Sequence, residues 1–510
     1  MTTTTNPLFA LLALIAPARA HLDGQEGRVD EVLRIDGGAT LELASVSIPL
    51  PGGKTATAER GTLRVPIVRA DPASKVIGID VWRFRALEGA PKGAPPIFQL
   101  NGGPGWPGLE PAGIDWEGGI VPFIGTADLV IVGQRGIGTS TDTSCASVVA
   151  EGARPALDAS REERAQYLRR KCGECRAHWE ALGYDLRGLN VKEAAADVDD
   201  VRRLLGYEKV ALWGGSFGSH WGMTVMRYHP QGVARAVLTG MEGPDHTYDM
   251  PSGVLHSLER MAKAAERAPE LAAHIPEGGL LGAFALVIES VEAEPFEIEV
   301  AHPRTGKATS VRIDGEFVRE LALGYSGRVS SRGGMPSWPA DLIALARGEF
   351  ERAAQARLRE GDGLDLPTAS FFMLDCGSGI TRARLEQLHG DPAAKIVGDL
   401  GNWFYENACP AWGSDLGDDF RTGFTTDIPT VVVHGTWDVS TPFDNALELL
   451  PAFRNLHFIP VEGGSHGALE EAMRFASGFR DALMKFVARG DAADLPAEVS
   501  LPDLEWVVPN

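Results

Sequence analysis

Lys209–Met223, KVALWGGSFGSHWGM, is the stretch on which the reading of the fold turns. An apolar run, Val210-Ala211-Leu212-Trp213, meets Gly214-Gly215-Ser216-Phe217-Gly218, and a helix-compatible segment follows. This is a G-x-S-x-G turn, in which a strand reverses sharply into a helix and lifts a serine hydroxyl above the edge of a sheet. Its glycines have a steric task, because side chains flanking a strained serine would strike the helix and the adjacent strand. The helix start behind the serine adds backbone N–H groups and a positive dipole end. Glycine-rich connections produce the same pattern by chance, so the rest of the chain has to decide.

The chain has 510 residues, 44% of them hydrophobic and 23% charged, enough to bury a large core. A formal net charge of −21 argues against nucleic acid or an anionic membrane surface as partner. No segment approaches the ~18 uninterrupted apolar residues of a membrane span. At the N-terminus, the apolar run Pro7–Ala16 precedes Ala18-Arg19-Ala20, an A-x-A-like cleavage site. Residues 1–20 therefore read as a signal peptide, although Met1–Asn6 lacks Lys and Arg, and a secreted or periplasmic location is expected. Five cysteines fit export better than a cytosolic life. Cys172 and Cys175 form a C-x-x-C, but no second close pair accompanies it and its surroundings read as helix. Structural disulfides with one cysteine left over are the expectation, with no metal site and no cofactor.

Working outward, Thr62–Val68 and Val76–Arg83 are β-rich runs joined by an Asp71-Pro72 turn, an antiparallel entry to a larger sheet. Pro95–Leu100 is a short buried strand that runs into Asn101-Gly102-Gly103-Pro104-Gly105. A further strand, Ala127–Val132, ends in Gly133-Gln134-Arg135-Gly136, and a helical segment, Val191–Leu205, leads to the serine turn. After it comes another apolar strand, Ala234–Gly240. Strands alternating with helices predict a mainly parallel, doubly wound α/β sheet, with ligands at the carboxyl ends of the strands. From about 241 to 370 the pattern becomes helical (Leu258–Glu270, Asp341–Arg359) around a β-hairpin at Phe296–Ile313. That stretch is too long for a loop and reads as an inserted, mostly helical cap. The core is then expected over 21–240 and 371–510, resuming with strands Ile428–Gly435 and Leu456–Val461 and a helix near Ala468–Arg489.

A serine hydroxyl is a weak nucleophile and needs a base, itself held by a carboxylate. In an α/β-hydrolase the chain order is Ser, then Asp or Glu, then His. Asp438 lies in the turn after the strand ending at Gly435, and His466 in the turn Gly463-Gly464-Ser465-His466-Gly467 after the last strand. Order, strand context and flanking glycines agree on Ser216, Asp438 and His466 as catalytic residues. Asp245 and Glu242 are the competing acids; His220 reads as a packing residue and His434 as a satisfied core histidine. For the oxyanion, the N–H of Phe217 and one from the glycine turn, Gly103, are the expected donors.

The Gly-Gly-Pro-Gly turn, Gln134-Arg135-Gly136 with Gly138 and Ser140, the Gly-Gly-Ser-Phe-Gly turn, Tyr228-His229-Pro230, and the Asp438 and His466 turns together resemble the proline iminopeptidase and tripeptidyl aminopeptidase family of serine peptidases. The resemblance runs from about Gly61 to Gly467 and is weakest in the cap. It implies an α/β-hydrolase fold, an acyl-enzyme mechanism, small peptide substrates, and bridges Cys145–Cys175 and Cys376–Cys409, with Cys172 left over. An aminopeptidase also needs a carboxylate for the substrate's free ammonium; Glu242 and Glu406 are the candidates. The family often has His or Pro at Asn101, Asp at Gly133, and a small Ser-Gly where Trp106-Pro107-Gly108 stands. These departures bear on the shape of the acyl site. A carboxylesterase is the alternative on the same residues, and an inactive binding protein the least favoured.

Overall fold

The computed structural model describes residues 29–35, 38–49, 55–105, 109, 116–138, 141–146, 148, 155, 159–360, 364 and 366–509. The expected signal peptide, Trp106-Pro107-Gly108 and Ser140 lie outside them.

Among the described residues, eleven strands form one sheet. In chain order they are β1 (Glu31–Arg34), β2 (Thr40–Pro49), β3 (Thr55–Pro66), β4 (Val76–Phe84), β5 (Ile97–Leu100), β6 (Leu129–Val132), β7 (Val210–Gly215) and β8 (Val233–Thr239), then, after a ribbon of β9 (Phe296–Ala301) and β10 (Ala308–Ile313), β11 (Thr430–Gly435), β12 (Leu456–Glu462) and β13 (Val499–Ser500). Their spatial order is β1-β2-β3-β4-β6-β5-β7-β8-β11-β12-β13. From β1 to β6 the neighbours are antiparallel; from β6 to β13 they are parallel. This is the α/β-hydrolase fold, a mainly parallel sheet with helices on both faces and an extra helical region. The antiparallel entry expected from Thr62–Val68 and Val76–Arg83 is β1–β4.

β7 is buried on both faces, which is why it reads as a continuous apolar run rather than an alternating one. Its register sets Gly214 beside Leu100 of β5 and Gly215 beside Thr239 of β8. The carboxyl ends of β5, β7, β8, β11 and β12 therefore share one edge. The helix Val191–Leu204 feeding β7 starts at Asn190, whose side chain accepts from the N–H groups of Lys192 and Glu193 at 2.9 and 3.0 Å. Its inner stripe, Ala194, Ala195, Val198 and Val201, packs into the main core.

Between β8 and β11, residues from Val254 to Leu358 gather a separate core around Trp338, whose indole N–H donates to the Ala322 carbonyl at 2.8 Å. Leu366–Cys376, Ala408 and Trp412 instead join the core under the sheet. Two segments that read as single helices are broken. Asp341–Arg359 becomes Trp338–Ala346 and Glu351–Glu360, and the C-terminal helix becomes Ala468–Phe475 and Phe479–Arg489. Gly348 (φ 79°) and Gly478 (φ 75°) sit at the breaks in the left-handed region, which ends a helix at little cost for glycine alone. Among the described residues no helix is long and apolar enough to cross a membrane, and no group of side chains could hold a metal ion.

The disulfides are Cys145–Cys175 and Cys376–Cys409, as the family resemblance implies; Cys172 is a buried free thiol whose pKa burial pushes up to about 12.

Candidate active site

Ser216 stands between β7 and the helix Phe217–Tyr228 with φ 58° and ψ −133°, a strained backbone for a residue with a side chain. The surrounding glycines make room for it. A Cβ at Gly214 would run into the Gly218 carbonyl, and one at Gly218 into the Leu100 carbonyl. A Cβ at Gly102 would lie 3.0 Å from Ser216 Cβ, so the turn after β5 passes directly against the serine.

That turn is held by a buried side chain. Gln134 Nε2 donates to the carbonyls of Asn101 (3.1 Å) and Gly102 (2.9 Å), while its Oε1 accepts from the Gly105 N–H at 2.8 Å. Gly103, at φ 112°, lies inside the clasped turn and lines the same cavity as Ser216. Phe217 is the first residue of the helix, where N–H groups have no intrahelical carbonyl. Of the two residues expected to donate, Gly103 lines the cavity with Ser216 and Phe217 follows the serine directly in the chain.

Asp438 is fully buried after β11, and His466 follows β12. The turns carrying them are tied together, Trp437 N–H to the Gly464 carbonyl at 2.9 Å and Gly463 N–H to Thr436 Oγ1 at 3.1 Å. His466 Nδ1 donates to Asp438 Oδ2 at 2.9 Å, with Oδ1 at 3.1 Å. The carboxylate also accepts from the N–H groups of Ser440 (2.8 Å) and Thr441 (3.0 Å) and from Thr441 Oγ1 (2.9 Å). Burial alone would raise the Asp438 pKa, but the neighbouring His466 charge and hydrogen bond outweigh it and hold it low. Burial likewise works to lower the His466 pKa, and the Asp438 charge reverses the sign and raises it. The Nδ1–H tautomer favoured in this way leaves Nε2 as the unprotonated ring nitrogen. Gly240 packs closely against both residues: a Cβ there would lie 2.9 Å from His466 Cε1 and 3.2 Å from the Ser216 nitrogen.

The competing residues have other partners. Asp245 accepts from the N–H and hydroxyl of Thr381 at 2.6 and 2.7 Å. His434 is fully buried, donating through Nε2 to the Thr441 carbonyl (2.9 Å) and accepting at Nδ1 from Met241 N–H (3.1 Å). His220 is also buried, between the Gly243 carbonyl and Ser378, and burial lowers its pKa to about 4.

A cavity of about 440 Å³ opens above Ser216 and His466 and is lined by Glu242, Asp249, Asp375 and Tyr405. Tyr405 donates to Asp375 Oδ2 at 2.8 Å. Asn402 pins the backbone of Asp249 through its N–H (3.0 Å) and carbonyl (2.8 Å). Burial, then the charge of Asp438, raises the Asp249 pKa to about 7. Burial, together with Asp249, raises Asp375 to about 8. Glu242 is raised well above the carboxylate range by burial and by both aspartates. Three carboxylates held this way favour either protons or a cation. Glu242 was expected here; Asp249 and Asp375 were not singled out. Glu406 is a correction, for it is not among the cavity's lining residues and its carboxylate pairs with His389 Nε2 at 2.5 Å on the outer face of its helix.

Residues 95–291 match the family model of the α/β hydrolase fold. The chain is 29% identical over 191 residues to tripeptidyl aminopeptidases of Streptomyces coelicolor (strain ATCC BAA-471 / A3(2) / M145) and Streptomyces lividans. The match covers 36% of this chain and 35% of each relative, so it spans about a third of their length. Among solved structures, a serine hydrolase from Cycloclasticus zankles is 13% identical (TM-score 0.33, covering 84% of this chain and 97% of that one). An epoxide hydrolase from an endophytic Streptomyces is 14% identical (TM-score 0.36, 90% and 98%).

Proposed function

Taking the chain as a hydrolase with the α/β-hydrolase fold, we propose that it is a serine aminopeptidase of the proline iminopeptidase or tripeptidyl aminopeptidase type. Ser216 Oγ attacks the scissile carbonyl while His466 Nε2 takes its proton and Asp438 stabilises the imidazolium. The N–H groups of Phe217 and Gly103 bind the oxyanion. The tetrahedral intermediate expels the amine, which leaves with the proton from His466. Water then attacks the acyl-enzyme by the reverse proton path and frees Ser216.

The observation that carries the peptidase reading is the acid pocket. Glu242, Asp249 and Asp375 line the cavity that contains Ser216, as an N-terminal ammonium requires. An ester or an N-blocked peptide offers no cation to take the place of the protons these carboxyls favour, so it gains nothing from them. The similarity to tripeptidyl aminopeptidases supports the same reading. The two disulfides support an exported protein, in keeping with a signal peptide over 1–20.

The test compares prolyl, alanyl and tripeptidyl anilides with their N-acetyl forms and with short acyl esters. Free-amine substrates are expected to have the higher kcat/KM by about tenfold or more, the worth of one charge-assisted contact. Equal turnover of N-acetyl substrates would reject the aminopeptidase and leave a carboxylesterase. No labelling of Ser216 by a fluorophosphonate would leave only a binding protein.

A further inference from the structure

The turn that carries His466 is fixed by more than the sheet beneath it. Gly464 N–H donates to the Val461 carbonyl at 3.0 Å, and Ser465 N–H donates to the Glu471 carboxylate at 2.9 Å. Ser465 Oγ donates to the same carboxylate and accepts from the Gly467 N–H at 3.1 Å. The Gly463 carbonyl has a partner from much further away. Arg332 Nη1 donates to it at 2.7 Å, across 131 positions of chain. Gly463 takes φ 72°, and a Cβ there would lie 3.4 Å from the same Nη1.

Arg332 is itself anchored in the separate core around Trp338. Its turn runs between Val329 and Met335, both fully buried there, and is closed by Gly334 N–H on the Ser331 carbonyl at 2.9 Å. The guanidinium packs over Phe475, its Cζ 6.0 Å from the ring centre. Burial lowers its pKa while the charges of Glu471 and Asp503 act the other way. The group stays charged, so its bond to Gly463 is stronger than one from a neutral donor. The acid turn is tied to the same core. Trp437 and Val439, on either side of Asp438, are buried in it, and the Trp437 ring lies 6.3 Å from that of Trp506. Both turns of the acid–base pair are thus fastened to the helical region between β8 and β11, Asp438 through its neighbours and His466 through Arg332.

We propose that Arg332 is a positioning residue for His466, holding the base turn in register with the acid turn, so that the helical region contributes to the reactivity of Ser216 as well as to the walls of its cavity. The inference rests on the reading of His466 as the base that takes the Ser216 proton. Gly463 is buried, so its carbonyl cannot lose a partner without cost. Without Arg332 the turn would have to rotate to bring that carbonyl to water, and His466 would move with it. Proton transfer tolerates little such movement, since a misplacement of about 1 Å can cost about a hundredfold in rate.

The experiment uses the whole protein and a fluorophosphonate, with which Ser216 Oγ bonds to phosphorus, fluoride leaves and the serine proton passes to His466. Labelling rates of wild type, Arg332→Met, Arg332→Gln and Arg332→Lys are compared well below each melting temperature, together with kcat and KM for a free-amine anilide. The methionine variant has no donor and the glutamine is too short to reach Gly463. Both should slow labelling and kcat by about ten- to a hundredfold. KM should change little, because the carboxylates lining the cavity stand outside this turn. Arg332→Lys keeps a charged donor on a stem of similar length and should recover part of the rate. A lysine variant no faster than the methionine one would overturn the proposal. So would wild-type labelling in a folded methionine or glutamine variant, since a lowered melting temperature alone makes Arg332 structural. A rise in KM at unchanged kcat would assign Arg332 to binding instead, again against the proposal. An unlabelled wild type would sink the base assignment itself; a labelled wild type with unchanged variants sinks only the role of Arg332.

Discussion

Replacing Gln134 with leucine should remove most of the activity while leaving every reacting group in place. The side chain is 1% exposed and makes three hydrogen bonds to the turn Asn101–Gly105, two given to carbonyls and one accepted from an N–H. Leucine fills similar space but strands all three backbone groups in a site with little access to water. At ~1 kcal/mol net for each bond, the stability loss should be about 2–4 kcal/mol, which a chain of this size can survive. The effect on rate comes from Gly103. If the turn relaxes enough to misplace that N–H, one oxyanion donor is lost, a cost of about 10²–10³ in kcat. The acid pocket is untouched, so KM for a free-amine anilide should change little, and the His466 limb of the pH profile should not move. Fluorophosphonate labelling of Ser216 should slow in parallel, because the phosphonyl oxygen uses the same donors. Gln134→Glu is the sharper variant. It keeps the acceptor for Gly105 but sets a carboxylate oxygen against two carbonyls, and should do no better than leucine at neutral pH. A folded Gln134→Leu protein with wild-type kcat would refute the reasoning and remove Gly103 from the oxyanion site.

Asp197 is fully buried, accepting from Arg135 Nε and from Arg69 Nη2, both at 2.5 Å. Asp197→Ala takes away the buried carboxylate the two guanidiniums share, leaving Arg69 with Glu193 and Asp200 and Arg135 with the Pro66, Ile67 and Gly188 carbonyls, and should cost about 3 kcal/mol in denaturant unfolding; a loss below about 1 kcal/mol would contradict the network. Asp249 and Asp375 have folded pKa values raised to about 7 and 8, above those of the unfolded chain. Between about pH 4 and 8 the folded state therefore binds more protons, so their contribution to stability is greatest at low pH and is lost as pH rises through the folded values. Ammonium binding needs the ionised form, so the kcat/KM ratio of free-amine to N-acetyl substrate should rise from pH 5 to about 7, then fall above about 8 as the substrate amine deprotonates. A flat ratio would exclude these carboxylates. The bridge Cys376–Cys409 closes 33 residues and links the helices that carry Asp375 and Tyr405. Opening it by Cys376→Ser/Cys409→Ser should lower stability by about 3–4 kcal/mol and raise KM for free-amine substrates more than for N-acetyl ones. Equal effects on both would separate the bridge from the acid pocket.

Ser216, Asp438 and His466 were legible because each follows an apolar strand within a few residues. Where strand order is parallel, such positions must share an edge. The turn held by Gln134 was half legible: Gly133-Gln134-Arg135-Gly136 stood out as a pattern, but its hydrogen bonds cross 29 to 33 positions and cannot be read from spacing. Asp375 had a local signal, an acid closing the apolar run Phe371-Phe372-Met373-Leu374. A carboxylate in such a run is buried, and a buried carboxylate is there for a partner. Glu406 was misplaced by one position. Tyr405 lines the cavity, and a step of one residue turns a helix by about 100°, which carries Glu406 to the outer face. Reading the composition of that helix did not reveal its phase; only its contacts with Asp375 and Asp249 did. The two split helices failed differently, because an isolated glycine in a periodic pattern does not announce whether it will take φ > 0.

The charges in the cavity bear on substrate choice more than the serine does. In the proposed mechanism Ser216, His466 and Asp438 would act on any carbonyl that reaches them, so discrimination has to come from groups that lose more without their partner than they gain with it. The carboxylates Glu242, Asp249 and Asp375 are such groups. Their raised pKa values mean that the empty pocket rests largely protonated and close to neutral, with little to attract an anion and little to hold an ammonium. A substrate amine must displace those protons to bind, so part of its binding energy is used to ionise the site. That lowers affinity for every free amine alike, and selectivity then falls to whatever adds binding elsewhere in the same cavity.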